Sequence, residues 1–415
     1  MGRVILHVDA NSYYASVECL YNPDIRDKPV AVGGDIEARH GIILTKNRIA
    51  KRYGVQTGEA IWQAKQKCPG LICVPPDYGL YIRFSGRMRS IFEQYSNRVE
   101  SFGLDEAWVD LTNKGTSITD GERIAHEIRE RIKGELGLTV SVGVNWNKIF
   151  AKLGSDMKKP DAVTVIREDD YQHKTWGLPV DELLYVGRAT RRKLADVNIR
   201  TIGALAQADA EWLDYKLGKN GLVLKAFANG LDQSPVMPVD YHMAIKSIGN
   251  STTLPYDLET MDDARCVYYL LAESVAARMR ENGFRARCVS ISARSTTLVT
   301  NGCQRVLKHP TNLTDEIAQM AMQLFSERFA RFLPYRSVGL SCSMLTPDTY
   351  PVQLDLLGDE TARLRKETLE RSVDDLRRRY GHQIVQRGVV LANKRFAEIN
   401  PKEDHTIHPV PFFAG

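Results

Sequence analysis

The feature that most constrains this chain is a short apolar run that ends on a carboxylate. Residues 3–9, RVILHVD, read as a buried strand: the run is rich in β-branched residues and stops at Asp9. A charge at the end of a buried strand costs several kcal/mol to desolvate unless it is paired or binds metal. A second such place lies at 98–111, RVESFGLDEAWVDL, which reads as two strands reversing near Leu104–Glu106. There the adjacent acids Asp105 and Glu106 sit among apolar and aromatic neighbours. If the two segments are neighbours in one sheet, three carboxylates converge on its edge. Three hard oxygen donors suit Mg²⁺, which takes one or two carboxylates and keeps positions for water and phosphate oxygens. Two such ions about 4 Å apart activate a hydroxyl and stabilise a leaving phosphate group. Spacing alone leaves another reading open, in which Asp9 caps a helix and Asp105–Glu106 is a solvated turn.

The rest of the chain is organised around that sheet. A helical pattern follows from about Tyr14, and residues 29–33 and 41–45 read as short strands. Helical patterns run from Asn47 to Tyr53 and from Glu59 to Lys67. Ile124, Ile128, Ile132 and Leu136 repeat at i+4 in a helix that Gly137 ends. Thr139–Val144 is a predicted strand, and Asn147 is the N-cap of a helix through Leu153. The first 165 residues thus suggest an interrupted βαββαβ order. Residues 167–232 read as all-helical, with a linker around Pro235 and Pro238. Strands are predicted at Cys288–Ala293 and Ser337–Met344, and helices at Asp315–Arg331 and Glu360–Tyr380. A chain of 415 residues, 43% apolar and 26% charged, is expected to form several globular domains. The net charge of +5 permits a polyanionic partner without requiring one. Seven scattered cysteines without a CxxC pair argue against a disulfide framework or zinc knuckle and for reduced thiols in the cytoplasm. MGRVILHVDA does not read as a signal peptide, and no run of about 18 apolar residues predicts a membrane span.

Four sequence blocks carry a family resemblance. They are HVDANSYYASVE at 7–18, SFGLDEAWVDLT at 101–112, SVGVNWNKIFAKLGSDMKKPD at 141–161 and KSIGNSTTL at 246–254. In order and spacing they resemble the motifs of the Y-family, lesion-bypass DNA polymerases, in particular the bacterial polymerase IV (DinB-type) and UmuC-type branches. The resemblance covers roughly residues 1–357. It implies an α+β multidomain, right-hand polymerase. Residues 1–28 and 77–166 would be a ferredoxin-like palm, 29–76 small fingers and 167–233 a helical thumb with a helix-hairpin-helix. A linker at 234–243, a DNA-gripping little finger at 244–350 and a C-terminal extension at 351–415 would complete it.

Carried over residue by residue, the resemblance implies that Asp9 and Asp105 bridge two Mg²⁺ ions (Mn²⁺ as a substitute), with Glu106 completing one site and the Ala10 carbonyl adding a ligand. Tyr14 would be the steric gate that excludes a 2′-hydroxyl, with Tyr13 packing beneath the sugar. Thr45, Arg48, Lys51 and Lys159 would hold the triphosphate of a dNTP. The family's T-x-x-Y-x-A-R is altered here: Arg48 stands for the tyrosine and Lys51 for the arginine, so the site stays cationic with different contacts. Asn11 stands where many relatives carry a further acid. Gly187 belongs to the thumb hairpin, in which one glycine of the usual pair is missing.

For duplex contacts, seven basic residues against one acid lie between Arg278 and Lys308. With Lys246 and Ser247, the residues Arg285, Arg287 and Arg294 are the candidates to track primer-template phosphates without reading sequence. Gln353-Leu354-Asp355-Leu356-Leu357 resembles the peptide that docks bacterial polymerases on a sliding clamp, through Gln353, Leu354, Leu356 and Leu357. The expected protein is a monomer. Two other readings are weighed: a nucleotidyl cyclase on a palm fold, against which the basic 278–308 tract argues, and a catalytically silent DNA- or clamp-binding scaffold, against which the three acids argue.

Overall fold

The structure, a computed structural model, describes residues 2–34, 41–112, 115–241, 243–350 and 360–391, with 393, 396, 399 and 400. They fall into two compact units, Met1–Gly34 with Ile42–His242 and, after them, Met243–Gly415.

The first unit runs β1 (Ile5–Ala10), α1 (Tyr13–Tyr21), β2 (Val30–Gly33), β3 (Ile43–Lys46), α2 (Arg48–Arg52), α3 (Ile61–Lys67), β4 (Ile72–Val74), α4 (Tyr78–Glu93), β5 (Val99–Ser101), β6 (Glu106–Asp110), α5 (Ile118–Leu136), β7 (Val140–Asn145), α6 (Lys148–Met157) and β8 (Val163–Val165). Its main sheet has the order β5-β6-β1-β7-β8. The apolar run at the N-terminus is its central strand, antiparallel to β6 on one side and β7 on the other. Every residue of β1 and β7 is buried; β1 reads as a nearly continuous apolar run, while β7 alternates valines with Ser141, Gly143 and Asn145, which are buried as well. β1, β5, β6 and β7 with their helices follow the βαββαβ order, interrupted by an insert. That insert is a small sheet, β3-β2-β4, with its own core of Ala31, Ile43, Ala50 and Ile61.

Local signals set the helix ends. Asn147 caps α6 by accepting from the Phe150 N–H, and Gly137 closes α5 at φ +70, in the left-handed region. The helix begun at Asn147 runs on to Met157 rather than stopping at Leu153. Its last turns carry Gly154 and Ser155, which lie flat against Gly143 of β7: a Cβ added at Gly143 would stand 1.8 Å from the Ala151 carbonyl oxygen and 2.6 Å from the Ser155 nitrogen. The all-helical stretch follows as α7 (Tyr171–Thr175), α8 (Arg188–Ala195), α9 (Ile202–Gln207), α10 (Ala210–Leu217) and α11 (Lys219–Ala228), around Leu194, Ile202, Leu205 and Leu213.

The second unit runs β9 (Ser247–Leu258), α12 (Met261–Glu281), β10 (Phe284–Ser295), β11 (Thr300–Thr311), α13 (Thr314–Arg328), β12 (Tyr335–Pro347), α14 (Glu360–Tyr380) and α15 (Gly388–Leu391). Its antiparallel sheet has the order β11-β10-β12-β9. Both expected strands are longer than the apolar patterns suggested, because pairing extends into serine- and arginine-bearing ends. The helix expected at Asp315–Arg331 stops at Arg328 and passes into a 3₁₀ turn, Ala330–Phe332. The helix expected at Glu360–Tyr380 forms over that span. It is tied to the unit by buried charges. Arg280 binds Asp374 at 2.6 and 2.9 Å and Glu370 at 3.2 Å, while Glu273 accepts from Arg377 and Arg387 at 3.0 Å each. Val390 and Phe396 close the core beyond it.

Candidate active site

β1 carries Asp9 to the rim of the sheet, and the register sets it directly opposite Glu106 on β6. The Ala10 N–H bonds the Asp105 carbonyl at 2.9 Å, so all three predicted acids meet at one end of two adjacent strands. Asp9 is 5% exposed. Burial, and then the charge of Glu106, push its carboxyl up to about 7 against the opposing pull of Lys159. The same two causes raise Asp105 to about 6. Burial also acts upward on Glu106, but the adjacent His7 ring, with Nε2 3.1 Å away, and the charge of Lys152 outweigh it and hold that carboxyl at about 2. One acid is thus firmly ionised and two are held back by crowding, which is a site rich in oxygen donors and short of positive charge.

Lysines supply part of that charge. Lys159 reaches Asp9 at 2.7 Å and Asp156 at 2.8 Å. Burial works against its charge, yet Asp9 and Asp156 prevail and lift it to about 12. Lys152 lies on Glu106. Among the described residues no three acidic, histidine or cysteine side chains close into an ion cage; the carboxylates hold lysines instead. The donor set nonetheless fits hard divalent cations: three crowded, buried carboxyl groups, two of them pushed upward by burial and by the charge of Glu106, are relieved by added positive charge.

Beside the acids lies a nest of aromatic rings. Tyr13 is 2% exposed and donates its hydroxyl to the Tyr81 carbonyl at 2.6 Å. Tyr14 is half-buried and stacks on Tyr81, with centroids 4.2 Å apart and planes 8° off parallel. Burial and the nearby Asp105 charge push the Tyr14 phenol up to about 12, so it stays neutral. In the insert, Thr45 lies on β3, and Arg48 and Lys51 are exposed on α2. A cavity of about 610 Å³ is lined by Asn11, Ser12, Asn47, Arg48, Thr139 and Asp161, among others.

Sequence reasoning missed Lys152, His7 and Tyr81. Lys148, Lys152 and Ser155 follow one another at i+4 and i+3 on one face of α6, and that spacing was the available signal.

The remaining predicted residues are dispersed. Gly187 is the exposed N-cap of α8. Lys246, Ser247, Arg287 and Arg294 are exposed in the second unit. Arg285 faces Glu367 of α14 at 3.2 Å. The basic tract at 278–308 is not a free cationic surface throughout: Arg280 is buried against Asp374 and Glu370, and Arg305 pairs Glu327 at 2.6 Å. Gln353–Leu357 lies outside the described residues. Among the described residues no helix is long and apolar enough to cross a membrane.

Residues 8–156 match the model of the impB/mucB/samB family, and residues 245–356 match the C-terminal domain of the same family. The chain belongs to this family, the Y-family DNA polymerases, whose α+β right-hand fold it shares. A DNA polymerase IV of Acetivibrio thermocellus is 50% identical over 394 residues, covering 95% of this chain and 99% of the relative. DNA polymerase IV 1 of Bacillus subtilis is 36% identical, covering 94% of each chain. Among solved structures, a Y-family DNA polymerase chimera of Dbh and Dpo4 superposes with a TM-score of 0.74 at 24% identity. It covers 83% of this chain and 99% of its own. The DinB of Sulfolobus solfataricus gives a TM-score of 0.55 at 26% identity, covering 82% of this chain and 98% of its own.

Proposed function

We propose that this chain is a template-directed DNA polymerase of the translesion class, adding dNMP from dNTP to a primer 3′-hydroxyl at Asp9, Asp105 and Glu106. The observation that carries the reading is the pairing of Asp9 with Glu106 and of Ala10 with Asp105, which brings three acids to one strand end. Asp9, Asp105 and Glu106, with the Ala10 carbonyl, would hold two Mg²⁺ ions, or Mn²⁺ in their place. Such ions favour the ionised 3′-hydroxyl and offset charge on the leaving pyrophosphate.

The chain's own residues do the rest. Lys159 leaves Asp9 for a phosphate oxygen, and Arg48 and Lys51 bind the triphosphate from the insert with Thr45. Tyr14 stands against the sugar, braced from behind by Tyr81. A small insert packed on its own core leaves the templating base loosely enclosed, which favours damaged templates and low fidelity. Lys246, Ser247, Arg287, Arg294 and the α8 N-terminus at Gly187 contact duplex phosphates without reading bases. Gln353, Leu354, Leu356 and Leu357 dock a sliding clamp, and the polymerase works as a monomer.

Primer extension on undamaged and abasic templates tests the assignment. Asp105→Ala is expected to lower the rate roughly a thousandfold, about 4 kcal/mol of lost transition-state stabilisation. Equal extension by wild type and variant would remove Asp105 from the reaction centre.

A further inference from the structure

The side chain directly behind Glu106 is His7, two residues before Asp9 on β1, and it is fully buried. Its Nδ1 lies 2.8 Å from the Ser155 hydroxyl of α6, and Trp108 packs edge-on against the ring at 5.1 Å. Its Nε2 lies 3.1 Å from Glu106 Oε2 without forming a proper hydrogen bond, and has no other partner among the described residues. Lys152 holds the same Glu106 oxygen. An orphaned ring nitrogen in a fully buried position calls for an explanation, since such groups are nearly always satisfied.

A neutral imidazole has one N–H and one lone pair, and a carboxylate only accepts. The proton that can serve Glu106 therefore sits on Nε2, which leaves Nδ1 to accept from the Ser155 hydroxyl. Ser155 Oγ also lies 2.7 Å from the Lys152 carbonyl, and its single proton serves either Nδ1 or that carbonyl, so it is Glu106, which only accepts, that sets the tautomer. Ser155 and Trp108 hold the ring in place.

We propose that His7 is the positioning residue of Glu106. Its Nε2–H would hold Oε2, leaving the other carboxylate oxygen of Glu106 free to serve a divalent cation. His7 touches neither substrate nor the reacting atoms and acts only through Glu106. The proposal rests on Glu106 being a cation ligand. Partners that orient a ligating group are commonly worth tenfold to a hundredfold in metal affinity.

The test is Mn²⁺ binding to the DNA-free full chain, followed by the electron paramagnetic resonance signal of the free ion. His7→Leu keeps the volume and removes the donor; His7→Gln keeps a donor; Ser155→Ala removes the hydroxyl that holds Nδ1. His7→Leu is expected to weaken Mn²⁺ binding roughly tenfold, Ser155→Ala to weaken it less, and His7→Gln to restore most of it. In primer extension the same order should appear in kcat, with KM for dNTP unchanged. Wild-type Mn²⁺ affinity in folded His7→Leu overturns the proposal. If that variant does not fold, wild-type affinity in Ser155→Ala overturns it instead. Glu106→Ala separates the two readings. Should it bind Mn²⁺ as wild type does, the cation site itself is misplaced; should it alone weaken binding, only the role of His7 falls.

Discussion

At Asp9, two residues and one strand settle the chemistry: Glu106 opposite it on β6, Lys159 beyond the end of α6, and the buried backbone of β1 beneath it. Burial raises Asp9 and Asp105, while His7 and Lys152 hold Glu106 down. Carboxylates pushed apart in this way mark a site built to receive positive charge. The neighbouring Tyr14 ring is held by stacking on Tyr81, so its position depends on shape. Tyr14→Ala opens the space that a 2′-hydroxyl needs. The ratio of kcat/KM for ribonucleotides to that for deoxyribonucleotides should rise on the order of tenfold or more. An unchanged ratio would take the gate away from Tyr14 and leave the acids in place.

Among the elements, α6 and β7 do most to assemble the site. Gly143 sits opposite His7 in the register of β1 and β7, and the missing side chain there lets α6 lie directly on the sheet. That close approach brings Lys152 to Glu106 and Ser155 to His7. Gly143→Ala drives a methyl group into the Ala151 carbonyl, where no flexible side chain can yield. It should destabilise the first unit by about 3 kcal/mol, the upper end of overpacking costs, read as a lower denaturant midpoint. A midpoint equal to wild type would mean that α6 shifts freely on the sheet. The strands and caps here were legible: the β-branched run at 3–9, Asn147 before its helix and Gly137 after its own all carry local physical signals. The close contact was not, because a glycine in a strand pattern does not say what comes near it.

Across the whole molecule, charge shows the same division. Arg280 looks in the sequence like one more cation of a phosphate-tracking stretch. In the fold it is buried against Asp374, 94 residues further along, and Glu370. Arg280→Ala leaves both acids without that partner in a buried setting and should cost about 3–5 kcal/mol. Arg305→Ala, which breaks a more exposed pair with Glu327, should leave the thermal transition near its wild-type position. If the two variants melt alike, the seam between α12 and α14 contributes nothing to stability. What the chain determined by itself was the strand that buries Asp9 and the periodicity of most elements, since these follow from local pattern and desolvation cost; the three acids were singled out by the family resemblance of the blocks around them. Only the tertiary structure decided that Lys152, Lys159 and His7 attend those acids, and which arginines face solvent. Partners are chosen by distance across the fold, and separation along the chain carries no record of it.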